Sequence, residues 1–185
     1  MATGRSTKLV GQAGEFIVAG ELARRGYIST TFTGNVPHYD IVASSDDGRH
    51  LSVQVKTALA GSWHLQITQY CDITFDGPRQ VLGPVKGAPV LDLVSVFVVL
   101  AGQGQDRFYV LRWDELRDLV VADYAQWMEE RGWVRPKNPK SLHSVRIPRQ
   151  AEHRFHAKPN TDSTASRTPI PRQAEHRFHG KANTF

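Results

Sequence analysis

Apolar residues recur first at helical spacing and then alternate, and that change of period predicts the order of elements. From Thr7 to Arg25, Leu9, Phe16, Ala19 and Ala23 fall near one helical face, with Ile17 and Leu22 widening the stripe. Ser6 or Thr7 can cap its start, and Gly26 is well placed to end it. Tyr27–Thr33 is β-prone, and Gly34-Asn35-Val36-Pro37 reads as a turn or loop. Tyr39–Ser44 and His50–Thr57 then read as two strands of a hairpin joined through Ser45-Asp46-Asp47-Gly48. In the second strand Leu51, Val53 and Val55 share one face, and Ser52, Gln54 and Lys56 the other.

Trp63–Gln69 predicts a further short strand. Residues 72–92, with Pro78, Pro84 and Pro89 among glycines, read as a long loop or insertion. Leu93–Ala101 is apolar except for Ser95, as expected of a central strand buried on both faces. Arg107–Trp113 reads as the next strand. Asp114 would cap a helix to about Val121, and Tyr124–Arg131 reads as a second helical stretch. The expected fold class is α/β, with helices around a mixed central sheet.

After residue 135 the periodicity stops. Prolines punctuate a polar stretch for which disorder is expected, so the chain divides into a domain over 1–135 and a tail over 136–185. The tail contains a perfect internal repeat, IPRQAEHRFH at both 147–156 and 170–179. Two copies are too few for a solenoid. They fit a recent duplication of coding sequence or a doubled linear motif.

Charge sharpens this division. Of the net +5, residues 1–135 contribute −2 (13 Lys+Arg against 15 Asp+Glu) and residues 136–185 contribute +7 (10 against 3). A basic tail suggests contact with nucleic acid, while plain solvation is the alternative. Cys71 is the single cysteine, which excludes an internal disulfide and a multi-cysteine zinc site. No apolar run approaches the ~20 residues that a membrane helix needs, and no signal core stands at the N-terminus. A cytoplasmic protein without a membrane partner is expected.

The candidate chemistry lies on the hairpin. Gln54 and Lys56, two apart, project from the polar face of an otherwise apolar strand. With an even pairing register Asp40 falls directly or diagonally across from Gln54. Glu15 reaches the same point if the first helix lies on the sheet, because its Gln12/Glu15 side is short of apolar bulk. A carboxylate, an amide oxygen and an ammonium at one place suit phosphodiester hydrolysis with a hard cation, Mg²⁺ or Mn²⁺. Asp40, Gln54, the Val55 carbonyl and Glu15 would supply oxygen ligands. Lys56 would face developing negative charge.

The runs GQAGEFIVAGELARRGY, GNVPHYDIVA and LSVQVKT resemble the PD-(D/E)xK nuclease superfamily, in particular Holliday-junction resolvases and Mrr-type restriction endonucleases. The resemblance covers residues 7–60 by motif. It implies a restriction-endonuclease-like αβββαβ core and metal-dependent endonuclease action on duplex or branched DNA. It also implies Asp40, Gln54 and Lys56 as signature residues, with Glu15 from the helix, and suggests a homodimer. Gln54 stands where most members carry an acid, as it does in Mrr-type enzymes. That removes one negative charge from the site and gives Glu15 more weight, and an inactive DNA-binding or assembly module is the alternative.

Trp63 suits base stacking, with core packing as the alternative, and His64 suits a phosphate contact, with a plain surface position as the alternative. In the tail Arg149, Arg154, Arg172 and Arg177 stand near Phe155 and Phe178, a pattern suited to loose phosphate-backbone contacts.

Overall fold

The computed structural model describes residues 4–32, 34, 36–102, 104–134, 142–145 and 152–153. These fall within one compact unit, Met1–Phe155, and a second unit, His156–Phe185, lies outside the described residues.

Helix α1 spans Gly4–Arg24. It ends in a Schellman arrangement, in which Tyr27 N–H bonds Leu22 O (3.1 Å) and Gly26 N–H bonds Ala23 O (3.0 Å). Gly26 takes φ 86°, a left-handed value that glycine adopts without a Cβ clash. Strands β1 (Ile28–Thr31), β2 (Ile41–Ser44) and β3 (His50–Ala58) follow. Next come β4 (Trp63–Gln66), a 3-10 turn (Ile67–Gln69), and the pair β5 (Cys71–Asp76) and β6 (Arg79–Val85). Then follow β7 (Leu93–Val99), β8 (Arg107–Arg112), helix α2 (Trp113–Glu129), β9 (Leu142–Val145) and β10 (Glu152–His153).

The main sheet has the order β1-β2-β3-β7-β8-β10. Only β3 and β7 run parallel, with Val55 beside Val96, and the other pairs are antiparallel. The sheet is therefore mixed, as expected. Each of its two faces carries a buried apolar cluster. Val18 of α1 packs with Ile41, Val53, Val55, Val96, Val98 and Phe108 on one side. On the other, Leu93, Phe97, Val99, Tyr109 and Leu111 meet Leu116, Val120, Tyr124 and Met128 of α2. Burial of that apolar area, at about 25 cal/mol per Å², is the main force holding the layers together.

Several elements depart from the sequence reading. Leu9 and Phe16 are each 58% exposed, and the buried line of α1 is Gly14 and Val18, with Leu22 partly covered. The two helical stretches after Asp114 form one helix, because nothing between Val121 and Tyr124 breaks it. Asp114 sits in its first turn, and the Glu115 carboxylate accepts the Arg112 N–H at 2.8 Å. The strand at Trp63 gives way to the 3-10 turn after Gln66.

The expected loop at 72–92 contains the β5–β6 ribbon, turned at Gly77. Pro84 is tolerated there because a two-stranded ribbon leaves outer edges unpaired. Tyr124 donates its hydroxyl to Gln80 Oε1 at 2.6 Å, tying the ribbon to α2. The link between parallel β3 and β7 is thus made of β4, the turn and this ribbon rather than a helix.

The sequence reading ends the folded part at residue 135, yet two strands lie beyond it. β9 pairs with β4 and β10 pairs with β8. Val145 of β9 is fully buried beside Trp63, which gives this segment an apolar anchor. The rest of 135–185 lies outside the described residues, as does the second copy of the repeat.

Candidate active-site cleft

The four residues singled out on the hairpin and first helix line one cleft. Glu15, Asp40, Gln54 and Lys56 border a space of about 700 Å³, together with Lys8, Gln12, Phe16 and Tyr39. They reach it from opposite sides of the sheet. Val53 and Val55 are buried beneath α1, so Gln54 and Lys56 alternate to the far face. Glu15 comes from α1 itself. The four can share a cleft because β2 begins at Ile41 while β3 runs on to Ala58, leaving an open margin beyond the end of the β2–β3 ladder.

Asp40 sits at that margin. The register pairs Ile41 with Val53 as the last step of the ladder, and Asp40 stands just beyond it, outside the regular pairing. Asp40 N–H bonds Val53 O at 2.8 Å, and Asp40 Oδ2 accepts the Val55 N–H at 2.7 Å. The carboxylate therefore closes the ladder where the next strand residue would have stood. Among the described residues the other oxygen, Oδ1, has no hydrogen-bond partner. Backbone N–H and C=O of one strand residue point the same way, so the Val55 carbonyl opens on this margin too.

Glu15 is held close to the sheet by its neighbour. A Cβ built on Gly14 would stand 1.8 Å from Thr57 Oγ1, so only glycine lets α1 approach β3 this closely. Partial burial raises the Glu15 pKa above the ordinary value, and the nearby Asp40 charge raises it further. Two carboxylates that repel across a cleft form a site suited to a cation. Gln54 adds a neutral oxygen. The donor set is thus all oxygen, two of it anionic, as a hard divalent cation that keeps several waters requires. Among the described residues no group of three or more His, Cys, Asp or Glu side chains converges, so any such ion would depend on the Gln54 amide and backbone oxygen.

Lys56 makes no ion pair among the described residues. Its carbonyl accepts the Trp63 Nε1–H at 3.0 Å, which pins the end of β3. Trp63 is 5% exposed and sits edge-on to Phe97 (5.1 Å) and Tyr109 (5.9 Å). Its ring is core and not a stacking platform, which corrects the base-stacking expectation. His64 is exposed on β4 and is not among the residues bordering the cleft. Arg149, Arg154, Arg172 and Arg177 lie outside the described residues.

The sequence reading missed Lys8, Phe16, Phe32 and Tyr39. Lys8, Gln12 and Glu15 follow a helical i, i+4, i+7 spacing that was available to find the first. Phe32 and Tyr39 meet edge to face at 5.7 Å, and no local pattern announces that pairing.

No known family model matches this chain, and a search of curated proteins finds no match. Among solved structures the chain is similar to a bacterial homing endonuclease, I-Ssp6803I. The two share 22% identity with a TM-score of 0.42, over 61% of this chain and 73% of the other.

Proposed function

We propose that this chain is a metal-dependent endonuclease that hydrolyses DNA phosphodiester bonds in the cleft between α1 and the β2–β3 margin. The observation that carries this is the meeting of Glu15, Asp40, Gln54 and Lys56 in one cleft from three separate elements. Asp40, Gln54, the Val55 carbonyl and Glu15 would hold Mg²⁺ or Mn²⁺. When bound, such an ion lowers the pKa of an attacking water and neutralises phosphate charge.

The chain's own residues supply the rest. Lys56 places a positive charge against the phosphoryl oxygens, where negative charge grows in the transition state. Asp40 is positioned by the Val55 N–H and does not need to reorganise as the substrate binds. The Glu15 carboxylate, disfavoured by burial and by the charge of Asp40, is the group that a bound cation would relieve most. Lys8 adds a second cation at the cleft wall for a neighbouring phosphate.

The test is incubation of the protein with plasmid and branched DNA in Mg²⁺ or Mn²⁺, beside Lys56→Ala and Asp40→Asn. Wild type should nick or cut, with each variant at least about 100-fold slower, the scale lost with one electrostatic group. Equal background nicking by all three overturns the enzyme reading.

One observation favours a second reading, a nuclease-fold module that binds DNA without cutting it. Gln54 occupies the position an acid would fill, and no third carboxylate joins the pair among the described residues. That reading predicts salt-sensitive DNA binding that survives Asp40→Asn, with no metal-dependent product.

A further inference from the structure

We propose that a second pocket, across Gln54 from the cleft, receives one unstacked nucleobase of the bound strand, from the nucleotide next to the phosphate at Lys56. This inference rests on the DNA-cleaving reading above and adds where a base would be held. The pocket has a volume of about 240 Å³ and is bordered by His38, Gln54, Thr68, Gln69, Lys86 and Trp113. At ~30 Å³ for each water in the liquid, that is room for roughly eight waters. One planar base of ~8–11 non-hydrogen atoms is of that size, and a base removed from its stack is commonly held in such a pocket.

The lining suits a base better than a free phosphate. Trp113 gives an apolar wall that cannot swing: its ring stacks on Tyr70 at 5.1 Å, and its Nε1–H bonds the Lys86 carbonyl at 3.2 Å. The Lys86 ammonium is already engaged by the Thr68 carbonyl at 2.9 Å and by Asp72 at 3.0 Å, so little positive charge is left for an anion. The amides of Gln54 and Gln69 and the His38 imidazole have no hydrogen-bond partner among the described residues. Side-chain amides pair donor and acceptor with the edge of a base.

Two further features point the same way. His38 adopts φ 75°, a left-handed conformation that strains a non-glycine residue and recurs where side chains clamp a ligand. Ser95 stands in register beside Gln54, fully buried, with a hydroxyl that has no partner. Gln54 borders both spaces, so an occupant of this pocket lies directly beside the cleft.

The test is nuclear magnetic resonance titration of the full chain with the four deoxynucleoside 5′-monophosphates and, separately, with deoxyribose 5-phosphate. The expected result is a shift of the Gln54 and Gln69 side-chain amides and of the Trp113 indole with at least one nucleotide. The sugar phosphate should produce none. Gln69→Ala should weaken nucleotide binding at least tenfold. His38→Gly, which also relieves the strained backbone, should weaken it without loss of thermal stability. An equal response to the sugar phosphate, or unchanged affinity in both variants, overturns the proposal. Nucleotide shifts in a protein with no metal-dependent cleavage would instead sink the enzyme reading and leave the base pocket standing.

Discussion

The Asp40 carboxylate accepts the backbone N–H of Val55 at 2.7 Å across the open end of the β2–β3 ladder. One side chain thus ends a sheet edge and faces the cleft. The two roles separate by substitution. Asp40→Asn keeps an acceptor oxygen for Val55 and should hold stability near wild type while cleavage collapses. Asp40→Ala leaves the N–H unpaired and should cost a further ~1–3 kcal/mol in urea unfolding. Equal stability of the two variants would remove the structural role.

Glu15 gives a pH signature in metal-free protein. Burial, and then the charge of Asp40, raise its pKa in the folded state. A group with a raised folded pKa contributes its full stability below the unfolded value, ~4.3 for glutamate, and loses it as pH rises through the folded value. Glu15→Gln should therefore match wild type at low pH and be the more stable protein at neutral pH. Parallel denaturation curves in a chelator check this, and a constant gap between the two at every pH would contradict it.

The approach of α1 to β3 rests on Gly14 and Thr57. Gly14→Ala places a methyl on Thr57 Oγ1 and should destabilise by about 1–3 kcal/mol, the range for an overpacked contact. It should also slow cleavage, because Glu15 moves with the helix. Thr57→Ala opens space and removes a buried hydroxyl with no partner. The double variant should regain only part of the loss, because the Cβ kept at position 57 still stands 2.9 Å from the new methyl, and simple additivity in the double-mutant cycle would show that the two residues do not meet.

Gly11 offers the opposite case. It borders the cleft, yet a Cβ there would meet no atom within 4 Å. Packing does not require glycine at that position of α1. Gly11→Ala should raise stability by about 0.5–1 kcal/mol through helix propensity alone. The added methyl narrows the cleft wall, so DNA affinity should fall while the melting temperature rises. A lower melting temperature would refute this account.

The hairpin site was legible because strand alternation is local. Gln54 and Lys56 share a face by counting, and the even register through Ser45–Gly48 brings Asp40 to the end of the ladder, where it meets Val53 and Val55. The face that α1 buries was less legible. Leu9 and Phe16 have the bulk expected of a core, but the close contact belongs to Gly14, and a glycine carries no hydrophobic signal. The β5–β6 ribbon was hidden by prolines that a free edge tolerates, although Asp76-Gly77-Pro78-Arg79 between apolar segments was a turn signal. Trp63 was ambiguous, since an amphipathic ring suits a core and a nucleic-acid surface equally. Its burial against Phe97 and Tyr109, with the indole bond to the Lys56 carbonyl, decides it.

The route from β3 to β7 has a kinetic consequence. β2 and β3 meet through a short hairpin, so Asp40, Gln54 and Val55 can come together early in folding. The parallel β3–β7 pair must first close the whole of residues 59–92, and long closures are slow to form because their entropy is lost before the contacts reward it. The wall of the second pocket formed by Leu93, Lys86 and Trp113 depends on that closure. Pulse-labelling hydrogen exchange during refolding should therefore find the hairpin amides protected before those of 86–93, and simultaneous protection of both would contradict this order.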